Sequence, residues 1–352
     1  MEQEILKLQS ILDMKPILLI GTGLSISMGL PGMKDLTDHL ATGIPRCCDG
    51  KEHLLAEWRK CKELIEENGL EDGLGKTNVS EELLNHIVEQ TACLIEKRDK
   101  KFKTNFFSNQ NYIQDNSASF PLTKLLKYLV DSLSPSNKVL EVITPNYDHL
   151  IEYACDCIGV TCSTGFKGNY IQAYSNENLR STLYINSSKG ITPTYKHAEQ
   201  VRLYKPHGSL YWQNINGRVV ECSEILSGSQ RVIITPGLTK YTVSMTDTVM
   251  NTHRELANEC IRKASSIVII GYGFNDSHLQ TELFAKLSQG LQCLILTKEL
   301  GGRIKKLVNE CPNIIALEAA EEEGQTLYYN KKEVKQLPVD LWSLDGFIKQ
   351  VI

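Results

Sequence analysis

Four short motifs in this chain of 352 residues carry side chains suited to chemistry. Gly21-Thr22-Gly23-Leu24-Ser25 ends the apolar run ILLI, and the chain then turns toward a helix. Glycine lets the main chain approach an anion closely, and N–H groups at such a turn form a phosphate cradle. Thr144-Pro145-Asn146-Tyr147-Asp148 follows the apolar run VLEVI. Asn146 and Asp148 are two residues apart, so in extended backbone both point the same way, one with a donor and an acceptor, the other with a fixed charge. Asp148 equally suits a cap on the helix HLIEYACDCI. Lys205-Pro206-His207-Gly208-Ser209 places an imidazole at a strand end, a group that exchanges protons near neutral pH. Gly271-Tyr272-Gly273-Phe274-Asn275-Asp276 repeats the strand-then-glycine turn; Asp276 can accept hydrogen bonds from a ribose or cap the helix that follows.

The glycine turn is not a dehydrogenase fingerprint, because Ile26 stands where G-x-G-x-x-G needs its third glycine, and no acidic residue closes a second strand. Nor is it a P-loop, since no Gly-Lys-Ser/Thr follows. A net charge of −4 argues against a general nucleic-acid or anionic-membrane binder. No apolar run approaches the roughly 18 residues of a membrane span, and MEQEILKLQSILDM is a charged amphipathic pattern rather than a signal core. The 11 cysteines are odd in number, which points to reduced thiols and a cytoplasmic location. Their spacings, with only Cys47-Cys48 adjacent and Cys155-x-Cys157, lack the paired C-x-x-C of a structural zinc site, so no metal is expected.

These motifs need strands to carry them. Ile5, Leu8 and Leu12 share one face of an N-terminal helix, and a strand at 16–20 enters the first turn. Residues 46–133 read as almost wholly helical: Leu54, Leu55, Trp58, Cys61, Leu64 and Ile65 form one stripe that Gly69 ends, Ser80 can cap a second long helix, and Ser119 with Pro121 opens a third. The basic cluster EKRDKKFK at 96–103 reads as a solvated face. From 139 onward strands and helices alternate. Polar residues 163–200 read as a long loop with short irregular elements, Asn216-Gly217 marks a hairpin, and a last helix lies near DLWSLDGFIKQVI. The pattern predicts an α/β fold, a doubly wound parallel Rossmann-like sheet in one domain over 1–352, with the helical block at about 46–133 inserted between its first two βα units.

Glycine cradle, Asn-x-Asp, His-Gly and a second glycine turn with Asp, in that order, resemble the sirtuin-like NAD-binding fold, over about residues 10–300. Specifically, the chain resembles the prokaryotic sirtuin-like NADases of antiviral defence systems. The resemblance implies that Gly21, Thr22, Gly23 and Ser25 hold the NAD pyrophosphate and that Asn146 sits beside the nicotinamide ribose. It also implies that Asp148 holds the carboxamide, that His207 is the general base for a ribose hydroxyl, and that Gly271, Gly273, Asn275 and Asp276 border the adenosine side. Thr144 joins the cofactor-binding set. Three departures stand out: the four-cysteine zinc module of the deacylases is missing, Pro145 stands where classical sirtuins have glutamine, and GLPGM replaces their aspartate-aromatic-arginine segment.

The activity so implied is hydrolysis of NAD to nicotinamide and ADP-ribose, with NAD as substrate and no metal, by a toxic NAD-depleting effector of antiphage defence. The lack of a sensory domain resembles the short forms that pair with a HerA-type hexameric ATPase, so a homo-oligomer or such a partner is implied, with the helical block as contact surface. No nucleic-acid or membrane binding is expected. The competing readings are an NAD- or ADP-ribose-binding sensor or scaffold without turnover, an NAD-dependent protein deacylase, and a nuclease acting with a partner.

Overall fold

The computed structural model describes residues 1–108, 120–188, 192–235, 237, 246–331 and 333–352. Among them a nine-stranded sheet organises the chain. The middle one of its seven parallel strands is Ile17–Ile20, which pairs with Val139–Ile143 on one side and Ser266–Ile270 on the other. Gln200–Tyr204 and the short Thr161–Ser163 continue the sheet beyond Val139–Ile143. Gln292–Thr297 and Ile314–Ala319 continue it beyond Ser266–Ile270, again in parallel. The runs ILLI and SIVII are buried at every position, as expected where helices cover both faces of a parallel sheet. Alternation divides the first strand between two cores. Leu18 and Ile20 pack with Leu8, Leu12, Leu125, Leu129 and Phe347, whereas Ile17 and Leu19 pack with Leu256, Leu279, Leu283 and Ile304.

The parallel-sheet expectation holds, with three differences. Gly208–Ile215 and Gln230–Ile233, read from sequence in series with the sheet strands, leave it and build a separate five-stranded antiparallel sheet with Arg218–Glu221, Gln172–Tyr174 and Phe166–Lys167. Trp212, Val219, Val232 and Ile234 give that sheet its own core. Its Asn216-Gly217 hairpin forms as expected, with φ of 49° and 81°. Secondly, an antiparallel hairpin, Thr326–Asn330 with Glu333–Leu337, closes one edge of the main sheet before the C-terminal helix Leu344–Val351.

Thirdly, the helical segment divides. Met33–Cys47, Glu52–Asn68, Leu70–Gly75 and Glu81–Ser108 share a core of Leu40, Ile44, Leu54, Trp58, Cys61, Leu83 and Ile87. Pro121–Asp131 instead packs on the main sheet through Leu122, Leu125, Leu126 and Leu129. Gly69 ends its helix with φ 83°, and the Ser80 hydroxyl accepts from the Leu83 amide, as the sequence predicts. The expected Ser119 cap lies outside the described residues; the helix at Pro121 begins after Phe120, which offers no capping side chain. Among the described residues no helix is long and apolar enough to cross a membrane, and the cysteines are all free thiols.

Candidate functional site

The chain leaves the central strand toward Val139–Ile143 and later returns to its other side at Ser266–Ile270, so the turns after Ile20 and Ile270 diverge at a topological switch point. In open α/β sheets the crevice outside the carboxyl ends of the strands at such a point is where ligands bind. Here the two turns are stitched together: the Gly21 amide donates to the Ile270 carbonyl and the Gly23 amide to the Gly271 carbonyl, both at 2.8 Å. A Cβ at Gly21 would lie 2.5 Å from the Gly271 oxygen, and one at Gly271, where φ is +59°, would lie 2.6 Å from the Leu24 nitrogen. Close backbone approach therefore explains these glycines, and it revises the expectation that Gly21 and Gly23 offer their amides to a phosphate. From these turns the residues that line the cleft are Thr22 and Ser25, then Tyr272, Gly273, Asn275 and Asp276. The cleft encloses about 220 Å³.

Asn146 and Asp148 meet there as their spacing predicts. Asn146 Nδ2 donates to Ser25 Oγ at 2.9 Å, and Ser25 Oγ donates to Asp148 Oδ2 at 2.6 Å. This chain fixes both side chains and leaves the Asn146 amide oxygen as an acceptor. Asp148 Oδ1 also accepts from the Leu150 amide at 3.2 Å, so the carboxylate that lines the cleft also holds the first amide of the helix Leu150–Ile158, one residue before its cap position at His149. Thr144 lies beneath the cleft rather than on its wall. Its hydroxyl donates to the Ile20 carbonyl at 2.7 Å and accepts from the Asn146 amide at 3.2 Å, which positions Asn146 over the central strand.

Burial pushes the Asp148 carboxyl above the ordinary aspartate range, against the pull of Lys205 and the Ser25 hydroxyl. Removing that hydroxyl leaves a buried carboxylate oxygen without its donor, so Ser25→Ala is expected to lose about 1–3 kcal/mol of stability. A lowered urea midpoint checks this; an unchanged midpoint shows that the hydroxyl does not hold the carboxylate.

His207 comes from the turn after Gln200–Tyr204, and its Nε2 stands 3.0 Å from Asp276 Oδ2. Glu71, from the insertion, lines the same cleft, and burial raises its carboxyl pKa, with His207 opposing the rise and Asp276 adding to it. Thr235 and Tyr272 bring to the wall buried hydroxyls that have no hydrogen-bond partner among the described residues, in positions to bond a ligand. Tyr147 pins the Asn146–Asp148 loop to the antiparallel sheet through a 2.5 Å bond to the Ile234 carbonyl.

Sequence reasoning missed the layer below. Lys205 is fully buried, and its Nζ donates to the Asp148 carbonyl at 2.6 Å, to Glu152 Oε1 at 2.7 Å and to Ser209 Oγ at 3.3 Å. Asp99 lies in the cluster at 96–103 that reads as a solvated face, yet it is wholly buried. It accepts from the His149 amide at 3.0 Å and from the Tyr153 hydroxyl at 2.6 Å, which anchors the insertion to the segment that follows Asn146 and Asp148. His149 Nε2 in turn reaches Ser209 Oγ at 3.2 Å, while its ring stacks on Tyr211 with centroids 4.4 Å apart. The signal available was the inward 3.6-residue phase of Asp99, four positions before Lys103 and seven before buried Phe106.

Residues 140–295 match the family model described as a SIR2-like domain, a stretch that contains Asn146, Asp148, His207 and Asp276. Comparison with curated proteins gives no significant match. Among solved structures, one described under the mechanism and regulation of Sir2 enzymes aligns with 100% of this chain and 98% of its own, at 12% identity and a TM-score of 0.44. A mutant Sir2 homologue in complex with 2'-O-acetyl ADP ribose aligns over 81% of each chain, at 14% identity and a TM-score of 0.38. Sir2 with p53 peptide and NAD+ aligns over 82% of each, at 10% identity and a TM-score of 0.35.

Proposed function

We propose that this chain hydrolyses NAD to nicotinamide and ADP-ribose, with Asn146 and His207 as catalytic residues. The observation that carries the reading is the convergence of Asn146, Asp148 and His207 on one cleft at the switch point of the sheet. The match of residues 140–295 to a SIR2-like domain supports NAD as the dinucleotide.

In this reading the bond between the ribose C1' and the pyridinium nitrogen breaks, and its electron pair neutralises the departing nicotinamide. The sugar carbon becomes oxocarbenium-like and a water oxygen adds to it; His207 takes a proton from a ribose hydroxyl, that hydroxyl regains one from the added water, and His207 then releases its proton to solvent. Three carboxylates (Glu71, Asp148 and Asp276) and no Lys or Arg stand among the described residues lining the cleft. Such a field favours the cationic pyridinium and the positive charge that develops on the sugar. Asp148 holds the carboxamide and Asn146 faces the nicotinamide ribose; Thr22 and Ser25 underlie the pyrophosphate, and Gly273 and Asn275 border the adenosine side.

The same proposal includes the biological setting that the motif resemblance implies: an NAD-depleting effector of antiphage defence, acting in the cytoplasm as a homo-oligomer or with a HerA-type hexameric ATPase. The four-helix insertion, which reaches the cleft through Glu71 and the loop below it through Asp99, offers a route by which a partner bound there acts on the site.

Incubation with NAD in water enriched in the heavy oxygen isotope, with and without such a partner, tests the reading by mass spectrometry. Nicotinamide and ADP-ribose carrying one heavy oxygen at C1' are expected. Saturable NAD binding with no product supports the sensor alternative instead, and cyclic ADP-ribose free of the label replaces hydrolysis by cyclisation.

A further inference from the structure

His207 and Asp276 belong to turns that the sheet holds well apart. Gln200–Tyr204 and Ser266–Ile270 are separated by two intervening strands, Val139–Ile143 and Ile17–Ile20. Three inter-strand steps of roughly 4.8 Å put the strand ends about 14 Å from each other. Yet Nε2 and Oδ2 lie 3.0 Å apart, within ionic reach though out of hydrogen-bond alignment, so the two turns lean together across the cleft. Side-chain exposures of 18% and 8% place the pair out of bulk water, where an ionic contact is weakly screened. Glu71, Tyr147 and Tyr272 also bring titratable groups to this corner.

We propose that Asp276 is the positioning carboxylate of His207, holding the proton on Nε2 so that Nδ1 is the nitrogen that accepts a proton from the substrate. The inference rests on the NAD-hydrolysis reading for its chemistry and moves Asp276 from the adenosine side, where the motif resemblance puts it, to the base. The negative charge beside one imidazole nitrogen favours the proton on that nitrogen, and the contact has only to swing into line when substrate binds, as in other arrangements where a third group orients a base.

Asp276→Asn keeps the shape and removes the charge. It is expected to lower kcat for nicotinamide release by about 10- to 100-fold while KM for NAD and the affinity for ADP-ribose, measured by calorimetry, each change by less than about threefold. In a double-mutant cycle with His207→Ala, the added Asp276→Asn change is expected to have almost no further effect, because the two residues act as one unit. A contact to the adenosine ribose gives the opposite split: kcat kept, KM raised and ADP-ribose affinity lost. That result overturns the proposal, as does a double variant that falls by the full product of the two single effects.

A readout independent of turnover separates this inference from the hydrolysis reading. In nitrogen NMR of the neutral imidazole, His207 of the wild type is expected to carry its proton on Nε2, and Asp276→Asn to give a mixture of tautomers. If the wild type releases no nicotinamide but shows the fixed tautomer, the hydrolysis reading fails and the pairing stands. A mixed tautomer in the wild type overturns the pairing. Asp276→Glu, which keeps the charge but moves it by one methylene, serves if the asparagine variant does not fold; it is expected to retain the Nε2 proton, and a mixed tautomer there also overturns the pairing.

Discussion

His207→Ala is expected to lower nicotinamide release from NAD by about 10²- to 10⁴-fold, the range a positioned general base contributes. The protein should nevertheless fold. The imidazole sits at the cleft rim, 18% exposed, outside the apolar cores of both sheets. Its ionic contact is the Asp276 carboxylate at the same rim, 3.0 Å away. The urea midpoint should therefore move little while turnover collapses. Loss of turnover with an unchanged melt supports proton transfer by His207. Turnover kept within a few-fold of the wild type removes His207 from the mechanism, whatever happens to stability.

Lys205→Ala should act the other way, through stability first. The ammonium is fully enclosed and donates to the Asp148 carbonyl, to Glu152 and to Ser209. Burial pulls its pKa down, but the Glu152 and Asp148 carboxylates outweigh burial and raise it above the ordinary lysine value. A lysine raised in the folded state stabilises below its unfolded pKa of about 10.4, and that contribution is lost only as pH rises through the higher folded value. The full effect is therefore present at neutral pH. Deleting one member of such a buried pair costs about 3–5 kcal/mol, because the partner is left charged and unpaired. Glu152 Oε2 already lacks a hydrogen-bond partner, so alanine leaves both of its oxygens without a donor. Urea unfolding at pH 7 checks the loss; a shift below about 1 kcal/mol contradicts the role given to the ammonium.

The strands that position the site were legible because parallel strands covered on both faces are continuous apolar runs cut off by glycine or proline. ILLI before Gly21, VLEVI before Thr144-Pro145 and SIVII before Gly271 all show this. The Asn146–Asp148 pair was legible for a similar local reason, a spacing of two in extended backbone. Topology was less so. HGSLYW and RVII have the same strand character as the sheet members, and nothing in their periodicity says that they pair antiparallel in a second sheet. The edge hairpin was missed because EVKQL carries Glu333 and Lys335 on an exposed edge, where a strand looks like a polar loop. Contacts across 50 or more residues leave no local trace. Lys205 with Glu152, Asp99 with His149, and Asp276 with His207 each required the folded chain. The glycines at 21, 23 and 271 were read as ligand contacts, yet their main demand is the approach of two turns to each other.

The most direct test of the account is a crystal structure of Asn146→Ala grown with saturating NAD, in which a slowed reaction keeps the dinucleotide intact. The account predicts one NAD molecule along the carboxyl edge of the parallel sheet. Its pyrophosphate should lie over Thr22 and Ser25, and its nicotinamide ribose between position 146 and His207. NAD bound elsewhere, or a cleft left empty at saturating dinucleotide, contradicts it.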